Sequence, residues 1–135
     1  MITRIAHVCL VARDLEATER FYCGALGMTK RFEFRKEGEL AGFYLDAGGG
    51  TYIEVFRGEG QPDAPSPIRH FCLETDDLDA VKRSLAEHGV ESTEKNLPCD
   101  HSWQIWCKDP DGMGIEFHQY TEESLQLRGG VAQLG

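Results

Sequence analysis

Two histidines and two glutamates recur in this chain at one fixed period. His7 and His70 stand 63 residues apart, and Glu54 and Glu116 stand 62 apart. Each histidine opens a similar stretch, Ile5-Ala6-His7-Val8-Cys9-Leu10 and Ile68-Arg69-His70-Phe71-Cys72-Leu73. Each glutamate sits in an apolar stretch, Thr51-Tyr52-Ile53-Glu54-Val55-Phe56 and Gly114-Ile115-Glu116-Phe117. Imidazole nitrogen and carboxylate oxygen together suit a divalent metal of borderline softness. Two carboxylates neutralise a 2+ ion, and four ligands leave positions open for water or substrate, as a catalytic metal requires. Zn, Ni, Co, Mn and Fe all accept this donor mix, so the metal's identity stays open. The competing reading treats each residue as an isolated structural histidine or solvated glutamate. Taken together that reading fares badly, because it leaves four ionisable groups on otherwise apolar strands, where unpaired charge is costly.

The elements that must position these groups repeat with the same period, and a fixed period of this kind signals duplicated modules. Residues 4–12 alternate like a strand, with His7 and Cys9 on one face and Ala6, Val8 and Leu10 on the other. Asp14 reads as an N-cap, Leu15, Thr18, Phe21, Tyr22, Ala25 and Leu26 recur at helical spacing, and Gly27 reads as the C-cap. Strands are expected over 30–35, 42–46 and 51–56. The order then repeats: Asp77 caps a helix with Leu78, Val81 and Leu85 on one face, and Gly89 ends it. A weak strand over 91–96, a stronger one over 102–107, an Asp109-Pro110-Asp111-Gly112 turn and the Glu116 strand complete the second half.

Each half is therefore βαβββ, and the fold class is α+β. The first module spans 1–57, a proline-bearing extended linker 58–67, the second module 68–120 and a polar, glycine-rich tail 121–135, expected as a short helix and frayed end. Two four-stranded modules are expected to form one curled eight-stranded mixed sheet with helices on the convex face. Strand alternation puts Ala6, Val8, Leu10, Ile53, Val55, Phe71, Leu73, Ile115 and Phe117 under the helices, and His7, Glu54, His70 and Glu116 on the opposite, concave side.

Further residues are candidates for contacting substrate. Arg57 is a possible anion anchor, Phe56 and Trp103 (or Trp106) apolar walls, and His101 a loop histidine within reach of a substrate. His118 shares the face of Glu116 and either lines the site or supports a ligand. Core or edge packing competes with the aromatic assignments, and a surface position competes for His101. Cys9 and Cys72 also face the histidine side. Thiolates there would favour a soft metal, although small packing residues are the simpler reading.

Composition narrows the function classes. Fourteen basic and 23 acidic residues give a net charge of −9, which argues against nucleic-acid binding and against adhesion to anionic membranes. No apolar run is long enough to span a bilayer and no signal peptide opens the chain. Five cysteines without C-x-x-C spacing suit free thiols in a reducing compartment. A cytoplasmic protein acting on a small molecule is expected.

These features together resemble the vicinal oxygen chelate superfamily. The likeness rests on paired βαβββ modules, the Ile-x-His openings, the glutamate-bearing closing strands and Asp109-Pro110-Asp111-Gly112 ahead of Ile115-Glu116. The His-Glu-His-Glu set is similar to that of glyoxalase I (lactoylglutathione lyase). The resemblance implies one divalent metal held by His7, Glu54, His70 and Glu116. It also implies an enediolate-like intermediate chelated through neighbouring oxygens, with Glu116 or Glu54 as the base that moves a proton between adjacent carbons. Glyoxalase I typically carries an Arg after the first His and an Asn after the first Glu, both for glutathione. Here those stretches read Val8-Cys9-Leu10-Val11 and Val55-Phe56-Arg57-Gly58, a departure that speaks against glutathione; the substrate that the resemblance implies is a small α-oxygenated compound, with a thiol adduct one form of it. The alternatives are another enzyme of the superfamily (an antibiotic-modifying thiol transferase, an epimerase or an extradiol dioxygenase) or a metal-free drug- or metabolite-binding protein. A dioxygenase of the two-His-one-carboxylate type has no need of Glu54. The resemblance further implies a homodimer, with each site built within one chain or swapped between two.

Overall fold

A computed structural model describes residues 1, 3–59 and 66–134. The chain divides into two compact units, Met1–Pro65 and Ser66–Gly135. Positions 60–65 of the linker lie outside the described residues.

In the first unit, β1 (His7–Ala12) leads into α1 (Leu15–Glu19), which runs on as a π-helical stretch (Arg20–Ala25). The Asp14 carboxylate accepts from the Ala17 amide at 3.0 Å, the N-cap expected of it. The second half of the helix is wider than its periodicity predicts. Leu26 donates to the Phe21 carbonyl, an i→i−5 bond, and Gly24, a poor helix former, lies within the stretch. Gly27, at φ +72°, then ends it. Three antiparallel strands follow: β2 (Thr29–Lys36), β3 (Glu39–Gly48) and β4 (Thr51–Arg57). Glu37 and Gly38, both at positive φ, make the two-residue hairpin between β2 and β3. The sheet order is β1-β4-β3-β2, with β1 parallel to β4.

The second unit runs β5 (His70–Glu74), α2 (Leu78–Glu87), β6 (Trp103–Lys108), β7 (Gly114–Gln119) and a short α3 (Leu125–Arg128). Asp77 caps α2 through the Ala80 amide at 2.9 Å. The Val90 amide closes back on the Leu85 carbonyl across Gly89, at φ +73°. The sheet order is β5-β7-β6, with β5 parallel to β7.

The expected strand over 91–96 is reduced to an isolated bridge, Asn96 to Gln104. Where a ladder would continue, the Thr93 hydroxyl rather than a backbone carbonyl accepts from the Trp106 amide, at 2.9 Å. The described residues therefore form a four-stranded and a three-stranded sheet, seven strands where eight were expected.

Asp109-Pro110-Asp111-Gly112 forms the turn its sequence predicts. The Gly112 amide donates to the Asp109 carbonyl, and one oxygen of the Asp109 carboxylate accepts from both Asp111 and Met113 at 2.9 Å. This turn sets where β7 begins, and so where Glu116 stands in the ladder.

The helix-facing sides of both sheets carry the cores. Leu10, Ala12, Phe43, Leu45, Ile53 and Val55 are buried with Leu15, Phe21, Tyr22 and Ala25 in the first unit. Ile105, Cys107, Ile115 and Phe117 are buried with Leu78 and Leu85 in the second.

The tail is tied down more firmly than expected. Ser102 and Ser124 are fully buried with their hydroxyl oxygens 2.9 Å apart. Gln126 donates to Asp100 at 2.7 Å, and Thr121 and Ser124 both donate to the His101 carbonyl. The short α3 is thus stitched to the loop that precedes β6.

Candidate functional site

The same local arrangement appears in each unit. Parallel pairing of β1 with β4 sets Cys9 beside Glu54, with His7 two residues back on the same face. Parallel pairing of β5 with β7 sets Cys72 beside Glu116, again with a histidine, His70, two residues back. Strand alternation aims these side chains away from the helix-covered face. The repeat read from the sequence is therefore a repeat of register, which brings histidine, cysteine and glutamate together in both units.

In the second unit the arrangement converges on one carboxylate. Glu116 is only 9% exposed. Its Oε1 lies 2.7 Å from His118 Nε2, and its Oε2 lies 3.2 Å from His70 Nε2. His118 is buried, whereas the His70 side chain is 40% exposed and packs edge-on against Trp106 at 4.6 Å. Cys72 completes the group: its sulfur, one Glu116 oxygen and one His118 nitrogen all lie within 4.8 Å of one another. Burial, and then the charge of Glu116, push the Cys72 thiol up to about 12. The sulfur is thus a protonated thiol at neutral pH.

In the first unit the surroundings are aromatic. The Cys9 thiol is raised by burial and by its hydrogen bond to Glu54. His7 meets Tyr44 at 5.7 Å, Tyr44 stacks on Phe32 at 4.7 Å, and Phe56 stacks on Phe34 at 4.6 Å. Burial, with the charge of Glu54 adding to it, raises the Tyr44 phenol. The position two residues beyond Glu54, equivalent to His118, is Phe56.

The remaining candidates are placed less uniformly. Phe56 shares the face of Glu54, but Arg57, the next residue, alternates to the Ile53 and Val55 side and is exposed at the strand end. Trp103 stands on the same parity as Ile105 and Cys107, opposite Glu116, with the Lys95 ammonium 5.2 Å from its ring centroid. Trp106, which pairs with Glu116 in the ladder, is the tryptophan on the carboxylate's face. The alternation of β6 carries this distinction, since Trp106 and Gln104 alternate with the buried Ile105 and Cys107. His101 is exposed with φ +61°, and its carbonyl serves to anchor the tail. Cys72 is the member of the cluster that a simple packing assignment passes over. Its place two residues after His70 was the available signal.

The donor chemistry fits a divalent cation, since imidazole, carboxylate and thiol are all metal ligands when deprotonated. His70, Glu116 and His118 lie within hydrogen-bonding reach along one face of β5 and β7, and His7 and Glu54 occupy the matching face of β1 and β4. Among the described residues no helix is long and apolar enough to cross a membrane.

Comparison with known proteins agrees with this architecture. The family model for the Glyoxalase/Bleomycin resistance protein/Dioxygenase superfamily matches residues 4–117. The YaeR protein of Escherichia coli (strain K12) is 28% identical over 130 residues, covering 87% of this chain and 97% of that protein. The fosfomycin resistance protein FosX of Listeria monocytogenes, solved with Mn(II) and a dihydroxypropylphosphonic acid, superposes with a TM-score of 0.74. It is 19% identical, with 95% of this chain and 99% of that one covered. The lactoylglutathione lyase of Agrobacterium tumefaciens superposes with a TM-score of 0.65 at 22% identity, covering 87% and 93%. The two solved structures establish the likeness of fold.

Proposed function

The chain belongs to the Glyoxalase/Bleomycin resistance protein/Dioxygenase superfamily, and on that premise we propose that it is a metal-dependent lyase or isomerase of the glyoxalase I type. Its substrate is a small compound with oxygens on adjacent carbons, with a thiol adduct of a ketoaldehyde as the leading case. The observation that carries the reading is the Glu116 carboxylate. It is nearly buried on a strand whose neighbours Ile115 and Phe117 are core, and it is held between two imidazoles. A carboxylate kept in such a place is costly unless it has charged or hydrogen-bonding work to perform.

His7, Glu54, His70 and Glu116 would hold the divalent ion. When bound, that ion supplies Lewis-acid polarisation and stabilises negative charge that develops on substrate oxygen. The chain's own residues do the rest. Glu116 takes a proton from one carbon and returns it to the next, as a positioned general base and acid. His118, 2.7 Å from Oε1, fixes which oxygen of Glu116 is turned toward His70. The low exposure of Glu116 and His118 excludes water and so strengthens each polar interaction in the site. Trp106, on the face of Glu116, and Phe56, on the face of Glu54, would each supply an apolar wall beside its own glutamate, as ligand sites require. The reading includes a homodimer, each site being completed within one chain or between two.

The test combines metal content with turnover. Protein purified without chelator is assayed for bound divalent metal, then offered methylglyoxal with a panel of thiols, fosfomycin with the same thiols or water, and catechols. Isomerisation of a thiol hemiacetal that is lost in Glu116→Gln and after chelation supports the proposal. A metal-free protein, or one that turns over fosfomycin or a catechol but no hemiacetal, overturns it. FosX, whose fold this chain shares, is the reason for the fosfomycin arm.

A further inference from the structure

We infer that the second unit by itself holds a thiophilic divalent cation through Cys72, Glu116 and His118, a donor set that overlaps the His7, Glu54, His70 and Glu116 quartet but adds Cys72 and His118 to it. The inference shares Glu116 with the proposed catalytic site but needs neither His7 nor Glu54, so the two readings can fail separately.

Geometry carries the argument. Tetrahedral coordination with metal–ligand bonds of 2.0–2.3 Å separates neighbouring donors by roughly 3.3–3.8 Å. The Cys72 sulfur, a Glu116 oxygen and a His118 nitrogen already lie within 4.8 Å of one another. The Glu116–His118 contact of 2.7 Å must open slightly, which exchanges a hydrogen bond for two metal bonds. The donors are set on two hydrogen-bonded strands, with Cys72 paired to Glu116 and Glu74 paired to His118. Backbone pairing therefore fixes their spacing, whereas a loop would not. His70, 3.2 Å from the second Glu116 oxygen, holds that oxygen in place or supplies the fourth ligand.

A comparison internal to the chain supplies the second observation. The first unit repeats the cysteine–glutamate pairing at Cys9 and Glu54, but Phe56 stands where His118 stands, stacked on Phe34. A packing cysteine would serve equally in both units; a third donor, buried and aimed at the pair, is present in one. A thiolate, a carboxylate and an imidazole select Zn(II), Cd(II) or Co(II) over Mn(II) or Mg(II). On coordination the S–H bond of Cys72 breaks, a sulfur–metal bond forms and the proton leaves to solvent.

Cobalt(II) titration of the metal-stripped full chain tests this. The expected result is a near-ultraviolet thiolate-to-cobalt charge-transfer band. That band persists in the His7→Ala/Glu54→Ala double variant and in Cys9→Ser, disappears in Cys72→Ser and Cys72→Ala, and needs at least tenfold more cobalt in His118→Ala. Two cysteine variants are used so that a folding defect in one, seen by circular dichroism, leaves the other to decide. Cobalt bound without a charge-transfer band, and lost in His7→Ala/Glu54→Ala, overturns the inference while leaving the proposed catalytic site intact. A band that survives both Cys72 variants also overturns it. No cobalt binding in any form overturns both readings.

Discussion

The pairing of Glu116 with His118 makes a prediction that needs neither metal nor substrate. In chelator-treated protein His118→Phe keeps a ring of similar size but removes the partner of Glu116 Oε1. The Glu116 side chain is nearly buried, and leaving a buried acceptor unsatisfied costs about 1–3 kcal/mol. For a chain of this length that is a fall of roughly 4–12 °C in Tm. Glu116→Met, which strands the His118 ring nitrogen, carries a similar cost for the same reason. Combining the two removes donor and acceptor together, which can be nearly neutral. The double variant should therefore be more stable than the sum of the singles implies, by about 1–2 kcal/mol, well beyond the few tenths expected of independent sites. His70→Ala behaves differently. The His70 side chain is 40% exposed, so water replaces it beside Oε2 and the change should stay within about 0.5 kcal/mol. Chemical denaturation of the four variants and their parent measures all of these terms. Additivity of His118→Phe and Glu116→Met would refute the reasoning, as would a His70→Ala cost equal to that of His118→Phe.

Four further outcomes follow from the same structure. With its thiol raised from 9.0 to about 12, Cys72 in metal-free protein should react with iodoacetamide roughly a thousandfold more slowly than a free cysteine at pH 8. Its rate should still climb tenfold per unit at pH 10, as read by mass spectrometry of the Cys72 peptide; a plateau near pH 9 would contradict this. Because the folded value lies above the unfolded one, the unfolded chain releases this proton first, so the linked stability is intact below about pH 9 and falls as pH rises toward 12. Asp109→Ala deprives the Asp111 and Met113 amides of their acceptor and should cost about 1–2 kcal/mol, with weakened metal binding because the turn sets the start of the Glu116 strand. Gly42→Ala should fail to fold or lose most of its stability, since a Cβ there would collide with the Val55 carbonyl across the β3–β4 pair; near-native circular dichroism and Tm would refute that.

Much of the fold was legible because local rules sufficed. Asp14 and Asp77 read as caps, and each accepts from the amide three residues on. Alternation sorted the more buried from the more open face in β1, β4 and β5, where every second residue is apolar, whereas in β7 Glu116 and His118 are buried along with Ile115 and Phe117. Two features escaped for identifiable reasons. The stretch 91–96 reads Glu-Ser-Thr-Glu-Lys-Asn, a weak strand former expected only from its place in the repeated order; whether it joins a ladder is decided by partners, and the Thr93 hydroxyl takes the Trp106 amide that a ladder carbonyl would have taken. The tail read as a short helix with a frayed end, and the helix is there at Leu125–Arg128; what the polar sequence did not reveal is that Ser124 and Gln126 find buried or opposed partners in Ser102 and Asp100, which sequence distance hides.

The site divides along the same line. That His70 and Glu116 share a face follows from parity alone, and they lie 3.2 Å apart. That Cys72 joins Glu116 and His118 depends on the parallel register of β5 on β7, in which Cys72 rather than His70 lies directly opposite Glu116. Parity cannot supply a register, because shifting a strand by two residues preserves every face while changing every neighbour. The same consideration separates Trp106 from Trp103. The two differ by three positions and so lie on opposite faces, and only the strand's phase against its buried residues says which one meets the carboxylate. What distinguishes the two units is then a single position, Phe56 in one and His118 in the other, at equal register from the cysteine–glutamate pair. Exchanging them, Phe56→His with His118→Phe, should move any thiolate-bound cobalt from Cys72 to Cys9. A band that stayed dependent on Cys72 in that exchanged chain would mean that the histidine, despite its burial and its 2.7 Å contact, is not what makes the second unit the binding one.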